Sequence, residues 1–561
     1  MPTPASTAFG GARHAALTKL ASLSTPDVLI LGGGVNGVGT LRDLALNGVS
    51  AVLIDVADFA GGASGASSRM AHGGLRYLEG REFRLVAEAT RERNLLLRDA
   101  GHLVRPLEIV VPLEHLTRGL GGSVARFLGL SDRAGPLSLA ALAGALGLYE
   151  LLGRVRRALP GPRITLSRRR FPAGLDDGAR AVASYYDGQI TQPEGLILEM
   201  LGEATGHPGV AAINHVAWRK LEDGAFLVTD PLSGAALTLR PRLVVNATGA
   251  AIDAANAALG LETRLVRGVK GAHLVLRHPE LRARMNGRAF YFGDGQGRMV
   301  ICLPVGDCVL MGTTEVEVTD PGDHSVAEAE VGYLIGAIGR LFPDLRVGRE
   351  HIAALTSGIR PLQASDGNAT QAARDHALVE LRAGSLPVLA LVGGKWTTFR
   401  SFSEQATDRA LAILDRARTT STADRAYPGA ADVDRAALAA ETGLSEDRIA
   451  VLVQRYGAVA RQVAAHCAAR PDQALRRAPG FSRREIGWLV DTRMTLSLED
   501  LVLRRTGLAL GDAPMTRALL AELAAIMAET LGRDAAWQEE QVAACLGEPR
   551  IAFVAPIAEV A

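Results

Sequence analysis

His273 stands in the run Lys270-Gly-Ala-His273, Arg360 in Ser357-Gly-Ile-Arg360-Pro-Leu, and Lys395 in Gly393-Gly394-Lys395-Trp-Thr397-Thr398-Phe-Arg400. A histidine suits general-base work because its ordinary pKa lies near the working pH, and an arginine fork recognises a phosphate monoester through two parallel hydrogen bonds. Lysine weighs more in this chain than usual, since only four of the 61 basic residues are lysines: Lys19, Lys220, Lys270 and Lys395. Arginine serves wherever a generic positive charge suffices, so Lys270 and Lys395 inside motifs point to chemistry. A further run, Ser67-Ser68-Arg-Met-Ala-His72-Gly73-Gly-Leu-Arg76-Tyr77, crowds His72, Arg76 and Tyr77 beside two glycines, which is more polar chemistry than a linker needs. Arg374, next to Asp375, is another cation suited to an anion. Together these types fit removal of a proton beside an anchored phosphate.

Such residues need a scaffold, and residues 27–55 supply the order of parts for one. Val28 to Leu31 reads as a short buried strand. Gly32, Gly34 and Gly37 follow at the G-x-G-x-x-G spacing, with Asn36 inside it, and open a helix that runs to Leu46. The first glycine serves a tight turn, the second a close approach of pyrophosphate, and the third the packing of helix on strand. The helix N-terminus then faces the phosphates. A second apolar strand, Ala51 to Ile54, ends at Asp55, where an acid that holds a ribose hydroxyl belongs. Strand, turn, helix, strand and acid in that order predict a dinucleotide site.

Several classes are excluded by composition. A chain of 561 residues is too long for one core and predicts two or more domains. A net charge of +1 argues against a nucleic-acid partner. Cys302, Cys308, Cys467 and Cys545 are too scattered for a zinc site or a disulfide framework, so no metal is expected and the thiols read as structural ones in a reducing compartment. The first 26 residues hold Arg13, His14 and Lys19 but no apolar h-region, which predicts a cytoplasmic protein.

The run His72-Gly-Gly-Leu-Arg-Tyr-Leu-Glu79 and the helix from Phe83 to Asp99 resemble the FAD-dependent glycerol-3-phosphate dehydrogenases, a branch of the glycine/D-amino-acid oxidase-like flavoproteins. Tyr185-Tyr-Asp-Gly188, Leu243-Val-Val-Asn-Ala-Thr-Gly249, Gly393-Gly-Lys-Trp-Thr-Thr-Phe-Arg400 and Asp500-Leu-Val-Leu-Arg-Arg-Thr506 extend the likeness over nearly the whole chain. Two stretches depart from it: Thr191-Gln-Pro-Glu-Gly195 lacks an expected arginine, and Ala250-Ala251 replaces a Pro-Trp, with Asp253 kept nearby. The resemblance implies an α/β fold: a Rossmann-like FAD domain of the two-dinucleotide-binding type, a mixed-sheet substrate domain and an all-helical C-terminal domain. Expected boundaries are an N-terminal extension (1–26), FAD-domain segments at 27–112, 241–260 and 386–424, substrate-domain segments at 181–240 and 261–385, an apolar and basic insert at 113–180, and the helical domain at 425–561. The helical domain is expected from amphipathic runs: one capped by Ser445, then Arg483 to Asp491, Leu498 to Arg505 and Pro514 to Leu531.

The resemblance further implies the division of labour. Gly32, Gly34, Asn36, Gly37, Asp55, Ser67, Ser68, His72, Gly73, Gly249, Gly394, Lys395 and Thr397 would hold FAD. His72, Arg76, Tyr77, Lys270, Arg360, Arg374 and Thr398 would hold the substrate. His273 would act as base, with Lys395 or Arg360 on the developing alkoxide. Backbone N–H groups at the Gly393-Gly394 turn would face the flavin pyrimidine end, where negative charge builds on reduction. The expected reaction is oxidation of sn-glycerol 3-phosphate to dihydroxyacetone phosphate, with electrons passed to quinone. A dehydrogenase for a larger polyol phosphate such as erythritol phosphate, an oxygen-using oxidase and a non-catalytic flavin redox sensor are the alternatives. Residues 134–153 are almost wholly apolar and precede Arg154, Arg156, Arg157, Arg163 and Arg168 to Arg170. That pairing predicts a monotopic patch on membrane lipid, with burial between domain helices as the alternative. A homodimer is left open.

Overall fold

The computed structural model describes residues 11–74, 82–117, 142–144, 146–147, 159–295, 298–364, 375–511 and 513–552. Its first layer is a six-stranded sheet in the order Ala377–Ala383, Leu386–Val392, Leu243–Asn246, Val28–Leu31, Ala51–Ile54, Val210–Ile213. Neighbours run parallel except for the hairpin between the first two. The four short strands are buried at every position, as uninterrupted apolar runs must be when both faces of a parallel sheet are covered. Val28, Ile30 and Leu53 pack beneath the helices Val35–Leu46, Pro193–Thr205 and Phe399–Ile413. Leu29, Leu31, Val52 and Ile54 pack on the other face with Leu20, Phe226 and Val228. The helix Gly11–Ser22 is thus a cover for the sheet, bonded through Arg13 to Asn214 and Asp230, and not a mere N-terminal extension.

The second layer is a ten-stranded mixed sheet. Ile352–Gln363 forms one edge and pairs along its whole length with Val266–Leu276, whose other side meets Val316–Val318 and then Cys308–Gly312. Met299–Val305, Ala289–Gly293, Val104–Leu113 and Ala181–Ile190 continue the order outward, and the last of these also pairs with Met70–Ala71 and Arg163–Thr165. One face is filled by Leu274, Leu276, Phe290 and Met311 against Val331, Leu334 and Ile338 of the helix Glu328–Leu341. The opposite face looks toward the first layer. The chain passes between layers more often than the sequence suggests. Met70–Ala71 and all of Val104–Leu113 but its last residue fall within 27–112 yet lie in the second sheet, and Val210–Ile213 lies in the first although it falls within 181–240. Ala377–Ala383 also belongs to the first sheet, because its hairpin with Leu386–Val392 leaves it no other edge to pair with. Ala217–Lys220, Phe226–Thr229 and Ala236–Leu239 form a separate antiparallel sheet.

From Arg435 to Leu546 the described chain is helical around a core of its own. Asp434, Ser445, Ser482, Thr516 and Asp534 each accept a first-turn backbone N–H, contacts worth about 1 kcal/mol apiece. The run expected from Leu498 to Arg505 becomes a π-helical turn, Asp500–Arg505. Of the apolar stretch 134–153 only 142–144 and 146–147 are described. Leu142 and Leu146, one helical turn apart, are buried with Ile109, Val111 and Leu113 against the second sheet. These two leucines serve as core, and most of the rest of 134–153 lies outside the described residues.

Candidate active site

A cavity of about 470 Å³ lies where the two layers meet, with walls from the 63–74 loop, the Gly393-Gly394-Lys395-Trp396 turn and the inner face of the ten-stranded sheet. Strand alternation decides which side chains reach it. Along Val266–Leu276, Val269, Gly271 and His273 point in, and cross-strand pairing of Val269 with Arg360 and Gly271 with Gly358 puts Arg360 on the same face. Lys270, three residues from His273, must point the other way. Its ammonium donates to Ser325 O at 2.5 Å and lies 3.7 Å from Glu330 on the helix-covered face. Its expected place against substrate is therefore wrong, and it ties the strand to its covering helix.

His273 is only 3% exposed, and Nε2 shares a hydrogen bond of 2.7 Å with Ser68 Oγ. Nδ1 has no hydrogen-bond partner among the described residues. Burial, with Arg360 and Arg69 adding positive charge, pushes its pKa down to about 3, so the ring is neutral at pH 7. Gly312 opposes it in the neighbouring strand, where a Cβ would lie 2.1 Å from His273 Cδ2. Only glycine leaves room for the ring. Arg360 pairs with Glu315 at 3.3 Å and donates to Thr314 O at 3.2 Å, while Arg298 reaches the same Glu315 at 3.6 Å. Two guanidiniums thus flank one carboxylate at the cavity wall.

The other wall is a stitched backbone. Thr397 Oγ1 accepts from His72 N at 3.0 Å and donates to His72 O at 3.1 Å, which joins the 67–74 loop to the glycine turn. Trp396 Nε1 donates to Ser64 O and Asn36 Nδ2 to Gly393 O, so the N-terminus of the helix Val35–Leu46 meets that turn too. Gly394 has φ +103, and a Cβ there would strike Asn36 Nδ2 at 2.6 Å. At the dinucleotide end, a Cβ on Gly32 would meet Ala247 O at 2.7 Å and one on Gly37 would meet Gly32 O at 2.0 Å, while the space beside Gly249 is open. Asp55 closes the second strand and accepts from Gly33 N and Ala57 N. Burial pushes its carboxyl up to about 6. Close helix packing, an open approach and a poised acid at the carboxyl ends of parallel strands are what a dinucleotide cofactor needs.

Residues 27–400 match the family model described as FAD dependent oxidoreductase, and residues 420–541 match the C-terminal domain of alpha-glycerophosphate oxidase. The chain belongs to the FAD-dependent glycerol-3-phosphate dehydrogenase family. A glycerol-3-phosphate dehydrogenase of Synechocystis is 32% identical over 92% of this chain and 94% of its own length. A D-erythritol 1-phosphate dehydrogenase of Brucella abortus is also 32% identical, over 87% of this chain and 95% of its own. The fold is shared with the crystal structure of a Bacillus halodurans glycerol-3-phosphate dehydrogenase complexed with FAD, at a TM-score of 0.72 and 19% identity, covering 99% of this chain and 100% of that one. Family membership makes FAD the cofactor.

Ser67, Ser68, His72, His273, Arg360, Gly394 and Lys395 line one cavity, and Asn36, Gly73 and Thr397 brace its walls. Arg76, Tyr77 and Arg374 lie outside the described residues. Thr398 does not line the cavity. It is 1% exposed at the start of the helix Phe399–Ile413, and its carbonyl accepts from Phe402 N. Among the wall residues that went unforeseen are Tyr185, Asp187, Tyr291, Arg298 and Glu315. Asp187 is buried, paired with Arg93 at 2.6 Å, and accepts from Gly73 N. Period-two alternation through Tyr185 and Asp187 was the available signal for that pair. Arg298 and Glu315 stand in no motif and become neighbours only through the sheet.

Proposed function

We propose that the protein oxidises the secondary alcohol of sn-glycerol 3-phosphate to the ketone of dihydroxyacetone phosphate, with a membrane quinone as the eventual electron acceptor. The observation that carries this reading is the placement of a neutral, buried His273 and the guanidinium of Arg360 on one cavity face of paired strands. Bound FAD supplies the acceptor for the hydride that leaves the carbinol carbon. Gly32, Gly34 and Gly37 with Asp55 would hold its adenosine half, and Ser67, Gly394 and Lys395 its flavin half.

His273 takes the hydroxyl proton at Nε2, the atom that Ser68 already holds, and the substrate hydroxyl enters that hydrogen bond. Arg360, with Arg298 beside it, receives the phosphate. A phosphate dianion there offsets the positive charge that helps to hold His273 low, so the bound substrate strengthens its own base. Lys395 stabilises the alkoxide as it forms. Because the ring works only while the proton moves, whereas Arg360 binds throughout, the two contribute to different kinetic constants.

The Brucella relative's name supports a second reading, oxidation of a longer polyol phosphate. Exposed Leu166 and Ile164, at 61% and 47%, lie beside exposed Arg163 and Arg168 to Arg170 and support a peripheral seat on anionic lipid, close to the quinone. No helix among the described residues is long and apolar enough to cross a membrane. Turnover with a panel of glycerol, erythritol and pentitol phosphates, using a soluble quinone analogue as acceptor, tests the assignment. The highest kcat/KM is expected for glycerol 3-phosphate. A tenfold preference for erythritol phosphate would move the assignment to the second reading, and stoichiometric peroxide would replace quinone by oxygen.

A further inference from the structure

The run Asp500-Leu-Val-Leu-Arg-Arg-Thr506 has no part in the proposed chemistry, yet it sends two arginines out of the helical domain into the cofactor layer. Arg505 grips Asp58 with both ends of its fork, Nη1 to Oδ2 at 2.8 Å and Nη2 to Oδ1 at 2.7 Å. Arg504 donates to the same carboxylate and, through Nη2, to Asp500 at 2.7 Å. Asn214 Nδ2 adds a fourth bond to Asp58 at 2.7 Å, and Asn214 is itself held by Arg13. Asp58, Arg504 and Arg505 are each 7% exposed or less. Asp58, His215 and Asp500 place ligand atoms within 4.8 Å of one another, but the two guanidiniums already take the carboxylates and leave no need for a cation.

The loop fixed in this way is the one that closes on the glycine turn. Asp58 lies three residues beyond Asp55. Phe59 packs over Gly33, where a Cβ would meet its ring at 2.6 Å, and Ala60 N donates to Gly33 O at 3.0 Å. Asp55 itself accepts from Gly33 N at 2.6 Å. Buried ion clusters add little stability over an apolar contact of the same shape, but they hold a geometry strictly. We infer that Arg504 and Arg505 of the helical domain are positioning residues for FAD, acting through Asp58 on the 55–60 loop and the glycine turn. The inference rests on placing the adenosine half of FAD against Gly32, Gly34 and Asp55. The coupling is reciprocal by thermodynamic linkage: FAD binding must in turn order the segment 496–506.

The test uses the full-length protein stripped of FAD and reconstituted. Arg505→Lys keeps the charge but loses the fork, and Asp58→Asn removes the acceptor charge. Each should weaken the FAD dissociation constant tenfold or more, and in the wild type FAD should slow hydrogen exchange at 496–506. Arg455→Lys is the control, since it loosens the Glu485 cluster inside the helical domain, far along the chain from Asp58. It should lower the melting temperature and leave FAD affinity within twofold. If Arg505→Lys and Asp58→Asn behave like that control, the cluster is structural only and the inference fails. If Asp55→Ala also leaves FAD affinity unchanged, the placement of the cofactor is what has failed. Should Asp58→Asn not fold, Arg505→Lys and the exchange experiment decide.

Discussion

Gly312→Ala places a single methyl group against the base and nothing else of consequence. The new Cβ would sit 2.1 Å from His273 Cδ2, whereas carbon atoms rest at about 3.5 Å or more, so the ring must retreat by roughly 1.4 Å. A shift of that size cannot keep the 2.7 Å bond to Ser68, and a misplacement of about 1 Å costs on the order of 10²-fold in rate. The expected result is a kcat lower by about 10²-fold, or about 2.7 kcal/mol of barrier, with KM for glycerol 3-phosphate and FAD content little changed. Steady-state kinetics of wild type, Gly312→Ala, His273→Ala and the double variant provide the assay. Once the ring is gone the methyl group has nothing to displace, so Gly312→Ala should cost little in the His273→Ala background. An equal loss in both backgrounds would refute the reasoning, because the damage would then not pass through the imidazole.

Arg360→Ala should raise KM more than it lowers kcat, because the guanidinium binds phosphate in ground and transition states alike; a pure kcat defect in a steady-state comparison would show that it acts on the alkoxide instead. Lys395→Met should lower kcat, and loss of the low-pH limb of the pH–rate profile in this variant alone would make the lysine the base. Asp55, raised by burial to about 6, holds a proton in the ligand-free folded state that the unfolded chain releases at about 3.9. Ligand-free protein should therefore lose stability as pH rises from about 4 to 6, by at most about 3 kcal/mol in total, and Asp55→Asn should flatten that slope in urea titrations while weakening FAD binding. An unchanged slope in the variant would remove Asp55 from the account.

The cofactor half of the fold was legible because its signals are local. A buried strand, three spaced glycines, a helix and an acid follow one another within 27–55, and each occupies the expected place. The substrate half was less so, since its sheet is assembled from strands far apart in the chain. His273 and Arg360 were picked out singly, but that they share a face follows from the register between Val266–Leu276 and Ile352–Gln363, which no local pattern states. Lys270 shows the converse. Its rarity and its nearness to His273 in sequence argued for the site, yet a spacing of three on a strand puts two side chains on opposite faces. Thr398 was lost for another reason, because it is buried at the cap of the helix Phe399–Ile413 instead of lining the cavity. Arg298 and Glu315 had no signal at all, being ordinary charges until the sheet brings them to Arg360.

The central claim is that a polyol phosphate reduces the bound cofactor while His273 removes its hydroxyl proton. Anaerobic mixing of the yellow holoenzyme with glycerol 3-phosphate, followed by the bleaching of the flavin across pH 5 to 9, tests it most directly. The wild type should bleach completely, and His273→Ala should bleach more slowly by roughly 10²- to 10⁴-fold. Bleaching by His273→Ala at the wild-type rate would contradict the account.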